Sequence, residues 1–311
     1  MITKAAQDRK AFTKDLIFTK SARSAWELVI NSVIADQGHA NILLPAYIGI
    51  TDREGSGIFD PVSSTGADFT FYDLNDDLGV NIASFEALIS TKKFNIAFIV
   101  HYFGFCRSDL DRIKELCIIN KVIFVEDCAH AFQLGLQREG LGILGDFSIY
   151  SVHKWLPVQS GGILKNKSRT LPLLDLPKKD DMILDSALGL LSADLEGIAE
   201  RRRENFGFYI KKISDIQGIE VVYNTIRGNE VPQTFPIRVK AGLREKLYFH
   251  LMDKNIPTIA LYYRLIDQLS KSSHARSHEF SSEILNLPVH QDVTDYDIDK
   301  IAAEIRMFLE G

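Results

Sequence analysis

Val125-Glu126-Asp127-Cys128-Ala129-His130, followed further along by Gly145-Asp146-Phe147-Ser148-Ile149-Tyr150-Ser151-Val152-His153-Lys154, decides how this chain folds. The apolar run ending at Val125 is closed by two carboxylates, the pattern of a buried parallel strand whose C-terminal end carries chemistry. Phe147 to Tyr150 is a second such run, and it delivers Ser151, His153 and Lys154. Taken singly, Asp127 reads as a helix cap and Lys154 as a solvated surface lysine. Together, at two neighbouring strand ends and in this order, they suit pyridoxal 5'-phosphate (PLP). A lysine holds the aldehyde as a Schiff base, and an aspartate keeps the pyridine nitrogen protonated so that the ring withdraws electrons.

Working outward, strands and helical stretches alternate. Ser21 to Ser24 opens a helix running through Ala25-Trp26-Glu27-Leu28-Val29-Ile30. Its free N–H groups and dipole form an anion site, and Ser21 or Ser24 also reads as a plain N-cap. Asn41 to Pro45, Asp68 to Tyr72 and Asn95 to Val100 read as strands, with helical spacing at Ser84 to Ile89 and Leu110 to Ile119. This pattern predicts a doubly wound α/β domain with a mostly parallel sheet. In such sheets ligands gather beyond the carboxyl ends of the strands, where His101, Asp127 and Lys154 all fall. Tyr47, just past the Asn41 to Pro45 strand, is placed either against the cofactor or in packing. The Gly-x-Gly-x-x-Gly of a nicotinamide site and a Walker loop are both missing, and no metal ligands are assigned.

Past Gly161-Gly162 the pattern changes. Asn166 to Asp181 reads as an exposed loop, Leu184 to Ile213 as one or two long helices, and Val231 to Val239 and Ile256 to Leu261 as strands, with Leu243 to Lys254 helical between them. Thr294 and Asp297 form a capping box for a last helix whose inner face is Ile298, Ile301, Ala302, Ile305 and Leu309. The expected division is a large domain over residues 1–195 and a smaller α/β domain over residues 196–311.

The 311 residues are 46% hydrophobic and 25% charged with a net charge of −5, so the chain can bury a large core and offers no basic surface for nucleic acid or anionic membrane. Arg201-Arg202-Arg203 is answered by Glu196, Glu200 and Glu204, as on a solvated helix face. Three irregularly spaced cysteines argue against a disulfide framework. Residues 1 to 20 lack a signal-peptide core and no long apolar run occurs, which points to the cytoplasm.

Ser-Ala-Arg-Ser-Ala, Leu-Leu-Pro-Ala-Tyr, Val-His-Tyr-Phe-Gly, Val-Glu-Asp-Cys-Ala-His-Ala, Gly-Asp-Phe-Ser-Ile-Tyr-Ser-Val-His-Lys and the terminal Leu-Asn-Leu-Pro-Val-His-Gln-Asp-Val-Thr-Asp-Tyr-Asp-Ile together resemble the DegT/StrS family of PLP-dependent sugar aminotransferases. The resemblance runs from about residue 18 to the C-terminus. It implies the fold-type I architecture, with a seven-stranded, mostly parallel sheet flanked by helices and a smaller C-terminal α/β domain. It implies transfer of an amino group from an amino-acid donor such as glutamate to a keto-sugar or nucleotide-linked keto-sugar, and a homodimer with sites at the subunit interface. Carried over, Lys154 is the Schiff-base lysine and proton shuttle, and Asp127 pairs with the pyridinium nitrogen. His130 stands where the family has Gln and bonds the phenolic oxygen. Ser148 or Ser151 binds the phosphate with the backbone of Arg23 and Ser24.

The chain also departs from the family. The interval from Asp146 to Lys154 is short, leaving Ser148 and Ser151 both open, and Ser151-x-His153-Lys154 resembles the lysine motif of cysteine desulfurase-like enzymes. The aromatic residue that stacks on the cofactor ring falls on Gly49, with Tyr47 or His101 as substitutes. The Asn-Tyr-Arg type segment after the lysine is missing. Two other functions compete with transamination. A desulfurase needs a nucleophilic cysteine late in the chain, whereas Cys106, Cys117 and Cys128 precede Lys154. A non-catalytic binding or regulatory protein on the same fold requires neither Asp127 nor Lys154.

Overall fold

The computed structural model describes residues 15–91, 93–131 and 141–311; most of the N-terminal stretch read for a signal segment lies outside them. Seven strands form the larger sheet: β1 (Leu16–Thr19), β2 (Asn41–Pro45), β3 (Asp68–Tyr72), β4 (Ile96–Val100), β5 (Ile123–Cys128), β6 (Phe147–Ser151) and β7 (Gly162–Asn166). Their spatial order is β1-β7-β6-β5-β4-β2-β3, parallel from β3 through β6, with β7 antiparallel between β6 and β1. Helices α1 (Ala22–Gln37), α2 (Phe59–Thr65), α3 (Ile82–Thr91) and α4 (Leu110–Asn120) connect the parallel strands. The predicted α/β class and mostly parallel sheet are therefore found.

Every residue of β4 and β5 is buried, as continuous apolar runs covered on both sheet faces require. The chain passes from β2 outward to β3 and then back to β4 on the other side, so the order reverses between β2 and β4. A crevice opens there at the carboxyl ends.

A second, antiparallel sheet is made by β8 (Ile219–Val221), β9 (Thr234–Val239) and β10 (Ile284–Pro288), in the order β10-β9-β8. The stretch read as one or two helices is two, α5 (Leu184–Ser192) and α6 (Leu195–Ile213), because Asp194 between them caps the second by accepting from the Gly197 N–H at 3.0 Å. The helices α7 (Arg244–Asp253), α8 (Ala275–Glu283) and α9 (Asp295–Glu310) follow. The capping box forms as read: Thr294 Oγ1 accepts from Asp297 N at 3.2 Å, and Asp297 Oδ2 accepts from Thr294 N at 2.9 Å. Ile256 to Leu261 is not a strand. Only Ile259 pairs, with Asn286, and Pro257 leaves the segment one ladder donor short. Among the described residues no helix is long and apolar enough to cross a membrane.

Two close fits position the site. Side chains alternate along β5, so Glu126 points to the sheet face opposite Asp127. The buried Glu126 carboxylate accepts from His101 Nε2 at 2.8 Å and from the N–H groups of Gly142, Leu144 and Gly145 at 3.0, 2.9 and 2.6 Å. These bonds fix the turn that feeds β6. Burial pushes the carboxyl up, but His101 and the amides of Gly145 and Gly142 outweigh it and hold Glu126 below the usual range. The second fit is at Gly162, where a Cβ would come 2.2 Å from the Ser21 carbonyl carbon and 2.4 Å from Ala22 N. β7 thus lies directly against the start of α1, and only glycine permits it.

Gly162→Ala should cost about 1–3 kcal/mol through overpacking against rigid backbone, read as a fall in melting temperature. Glu126→Gln should cost roughly 3 kcal/mol, since it weakens a buried charged pair. Because the folded pKa of Glu126 is depressed, its stabilisation is complete above the unfolded value and fades as pH falls through the folded one. The gap in melting temperature between wild type and Glu126→Gln is therefore widest near neutrality and closes below about pH 4. A gap that widens in acid contradicts this account.

Candidate active site

A cavity of about 590 Å³ opens beyond the carboxyl ends of β4, β5 and β6, between the start of α1 and the segment that follows β2. Strand parity selects what faces it. Phe98 of β4, Asp127 of β5, and Ile149 and Ser151 of β6 line it, and their alternate neighbours lie on the far face. Lys154 and His130 enter just past their strands. Asp127, Lys154, His130, Ser151 and Arg23 are thus brought together.

The other four sequence candidates lie elsewhere. His101 follows the far-face parity of β4 and bonds Glu126, outside the cavity. Ser148 donates to the Gly142 carbonyl at 2.8 Å on that same far face, so of the two serines Ser151 is the one that lines the cavity. Ser24 is held at both ends: its N–H is capped by Ser21 Oγ at 3.1 Å, and its hydroxyl reaches Asp180 at 3.2 Å. Tyr47 is fully buried in a ring cluster with Tyr102, Tyr262 and Phe280. Sequence reading treated each strand end as facing one way, and period-two alternation separates them.

Asp127 and Lys154 feel each other's charge across the cavity. Asp127 accepts from Ala129 N at 2.9 Å, and no second donor reaches it among the described residues. Burial raises its carboxyl, with the Ala129 amide and Lys154 opposing. Lys154 opens onto the cavity, yet protein surrounds it closely enough that burial lowers its amine, against the pull of Asp127 and Glu54. Each charge is under-compensated. An amine shifted this way is free to act as nucleophile or base at lower pH than a surface lysine.

His130 has a fixed tautomer. Its Nδ1 accepts from Phe103 N at 3.2 Å, so Nε2 carries the hydrogen, and its ring stacks on Phe103 at 5.9 Å and 13°. Burial first, then Lys154, holds its pKa well below the ordinary histidine value. His130 is therefore a neutral donor, as a glutamine in its place would be.

Ser21, Ala22 and Arg23 bring the start of α1 to the cavity. The first turn carries no acidic residue, and its leading N–H groups have no intrahelical acceptor. The Arg23 guanidinium turns instead to the mouth segment, donating to Glu54 O at 2.5 Å and pairing with Asp60 at 3.4 Å. Trp26 Nε1 donates to Ile58 O at 3.0 Å and fastens the same segment.

This donor set fits PLP. The helix start and Ser151 suit a phosphate, the under-compensated Asp127 suits a protonated pyridine nitrogen, His130 supplies a neutral donor, and Lys154 supplies an amine. Tyr262, which also lines the cavity, had no local signal: it reaches the site only because the segment carrying it pairs with Gly49 and its neighbours. Cys106, Cys117 and Cys128 all lie outside the cavity, and burial pushes the thiols of Cys117 and Cys128 up to about 12, which disfavours a thiolate nucleophile. His101, Glu126 and Cys128 bring ligand-type atoms within 4.8 Å, but four protein donors already occupy the Glu126 carboxylate.

GDP-perosamine synthase of Escherichia coli O157:H7 is 24% identical over 274 residues, covering 79% of this chain and 74% of that protein. Among solved structures, Helicobacter pylori PseC, an aminotransferase involved in the biosynthesis of pseudoaminic acid, superposes with a TM-score of 0.78 at 17% identity, covering 95% of this chain and 86% of that one. Spr1654 of Streptococcus pneumoniae in its PLP-form gives 0.78 at 17% identity, covering 97% and 89%. The model of the DegT/DnrJ/EryC1/StrS aminotransferase family matches residues 56–171 and 184–306. The chain belongs to that family of transaminases.

Proposed function

We propose that this aminotransferase moves an amino group from an amino acid, with glutamate as the donor, to a keto-sugar, most naturally a nucleotide-linked one. The observation that carries the reading is the placement of Lys154 and Asp127 on one cavity, each with its charge poorly compensated. The sugar assignment is supported by the named relatives, one a GDP-perosamine synthase and one an enzyme of pseudoaminic acid biosynthesis.

When bound, PLP supplies an aldehyde that accepts an amino group and a protonated ring that withdraws electrons. Lys154 would tether that aldehyde through Nζ and, when its amine is released, carry the proton between substrate and cofactor carbons. Asp127 would hold the ring nitrogen's proton, and His130 Nε2–H would donate to the phenolic oxygen. Ser151 and the N–H groups of Ala22 and Arg23 would take the phosphate. Arg23 and Trp26 fasten the mouth segment to α1, where it would narrow access of water to the reacting atoms. We further assign the chain to a homodimer: Leu184, Leu188 and Leu191 of α5 are 71%, 54% and 83% exposed, an apolar face that a second subunit would cover.

Purified protein saturated with PLP should release 2-oxoglutarate from glutamate in a single turnover without acceptor, and then aminate a keto-sugar supplied as its nucleotide conjugate. Lys154→Ala should abolish both steps. His130→Gln should stay within a few-fold of wild type, while His130→Ala should lose about ten- to a hundredfold in rate, the worth of a hydrogen bond to a charged oxygen. Cofactor-loaded protein that takes no amino group from glutamate refutes the donor. Rejection of every keto-sugar with the half-reaction intact refutes the acceptor.

A further inference from the structure

A bound pyridoxal ring presents polar atoms at its edge and an electron-poor flat face. Asp127 and His130 serve the edge, and the face calls for an aromatic wall, since offset aromatic pairs gain attraction beyond the area they bury. Three Phe, Tyr or Trp side chains line the cavity among the described residues: Trp26, Phe98 and Tyr262. Trp26 and Phe98 are each 1% exposed and pack on one another at 4.4 Å, with the indole N–H already bonded to Ile58 O. Tyr262 alone of the three is partly exposed.

Tyr262 is also held in place with unusual firmness. Its backbone sits in the left-handed region at φ 59, which a bulky residue adopts only where its surroundings enforce it. The enforcement comes from Ile50 N donating to Arg264 O at 3.0 Å and Ile266 N donating to Ile48 O at 3.1 Å. Between those bonds lies Gly49, where a Cβ would come 2.2 Å from Tyr262 Cδ1 and 2.9 Å from its Cα. The glycine is the notch that admits the ring. Tyr47 and Tyr102, at centroid distances of 5.1 and 5.9 Å, back the ring, and His130 lies 6.1 Å away. What remains open faces the cavity that Asp127 and Lys154 share.

The geometry points to Tyr262 as the aromatic wall against the cofactor ring, delivered from the C-terminal half of the chain into a notch left by Gly49. The inference rests on the Lys154 and Asp127 reading above. It makes the segment Leu261 to Ile266 part of the cofactor site, and it gives the buried Tyr47 a supporting place behind the wall.

The test compares wild type with Tyr262→Phe and Tyr262→Leu, measuring PLP dissociation by equilibrium dialysis and the visible circular dichroism of bound cofactor. Tyr262→Phe, which keeps the ring face, should bind PLP within about twofold of wild type with the same dichroic band. Tyr262→Leu should bind about tenfold more weakly, roughly 1.4 kcal/mol, and lose much of the band. If Tyr262→Leu does not fold, Tyr262→Met fills the same space without a ring and is held to the same expectation. Wild-type affinity and dichroism in the ring-less variant overturn the proposal, and so does equal weakening in Tyr262→Phe, which would make the hydroxyl the active feature. Borohydride reduction and peptide mapping separate the two readings. Pyridoxyl on Lys154 in all variants with unchanged affinity removes only the role of Tyr262. No pyridoxyl on Lys154 of wild type removes the cofactor assignment itself, and this inference with it.

Discussion

A carboxylate that never meets the cavity holds the cavity in shape. Glu126, itself buried, gathers His101 from the end of β4 and three amides from the turn before β6, on the far face of the sheet. An ionised group in such a place is tolerable only when every acceptor site is filled, and here four donors fill it. Three strand ends are thereby joined through one residue. With Glu126 pinned behind the sheet, Asp127 must point forward, and the turn that leads to Ser151 and Lys154 leaves from a fixed height.

Strand parity also explains what the sequence could and could not disclose. Apolar runs identified β2, β4, β5 and β6, and the Asp127 and Lys154 pattern located the cavity, because burial on both faces leaves a strong local signal. The facing of residues just past a strand leaves none. His101 and Ser148 have the chemistry of site residues and lie near the right strand ends, yet one step of alternation puts both behind the sheet, and Ser151 takes the hydroxyl position. A register argument anchored on Asp127 would have sorted them, since β5 pairs Glu126 with Ile99 and Ser148. Those three share the far face.

Long-range closure was hidden for a different reason. Ile256 to Leu261 is apolar enough to suggest a strand, but its neighbours pair only through isolated bridges, Ile259 with Asn286 and Leu265 with Gly49. Such bridges follow from how the two halves meet, which no local pattern encodes. Gly49 reads in sequence as a lost aromatic; in the fold it is the space another aromatic needs.

The electrostatics of the cavity run against stability and toward chemistry. Burial raises the Asp127 carboxyl and lowers the Lys154 amine, so each is held away from its preferred charged form and the attraction between them only partly offsets that. Such strain persists where the surrounding core can absorb it, and here β4 and β5 are buried along their whole length. A ligand that offers a cationic N–H to Asp127 and an aldehyde to Lys154 relieves both groups at once, and whatever binds the folded form alone also stabilises it. On the proposed reading, the features that make the cavity costly are the same ones that would make it selective for a ligand of that polarity, with the cation at the Asp127 end, the electrophile at the Lys154 end and the anion at the start of α1.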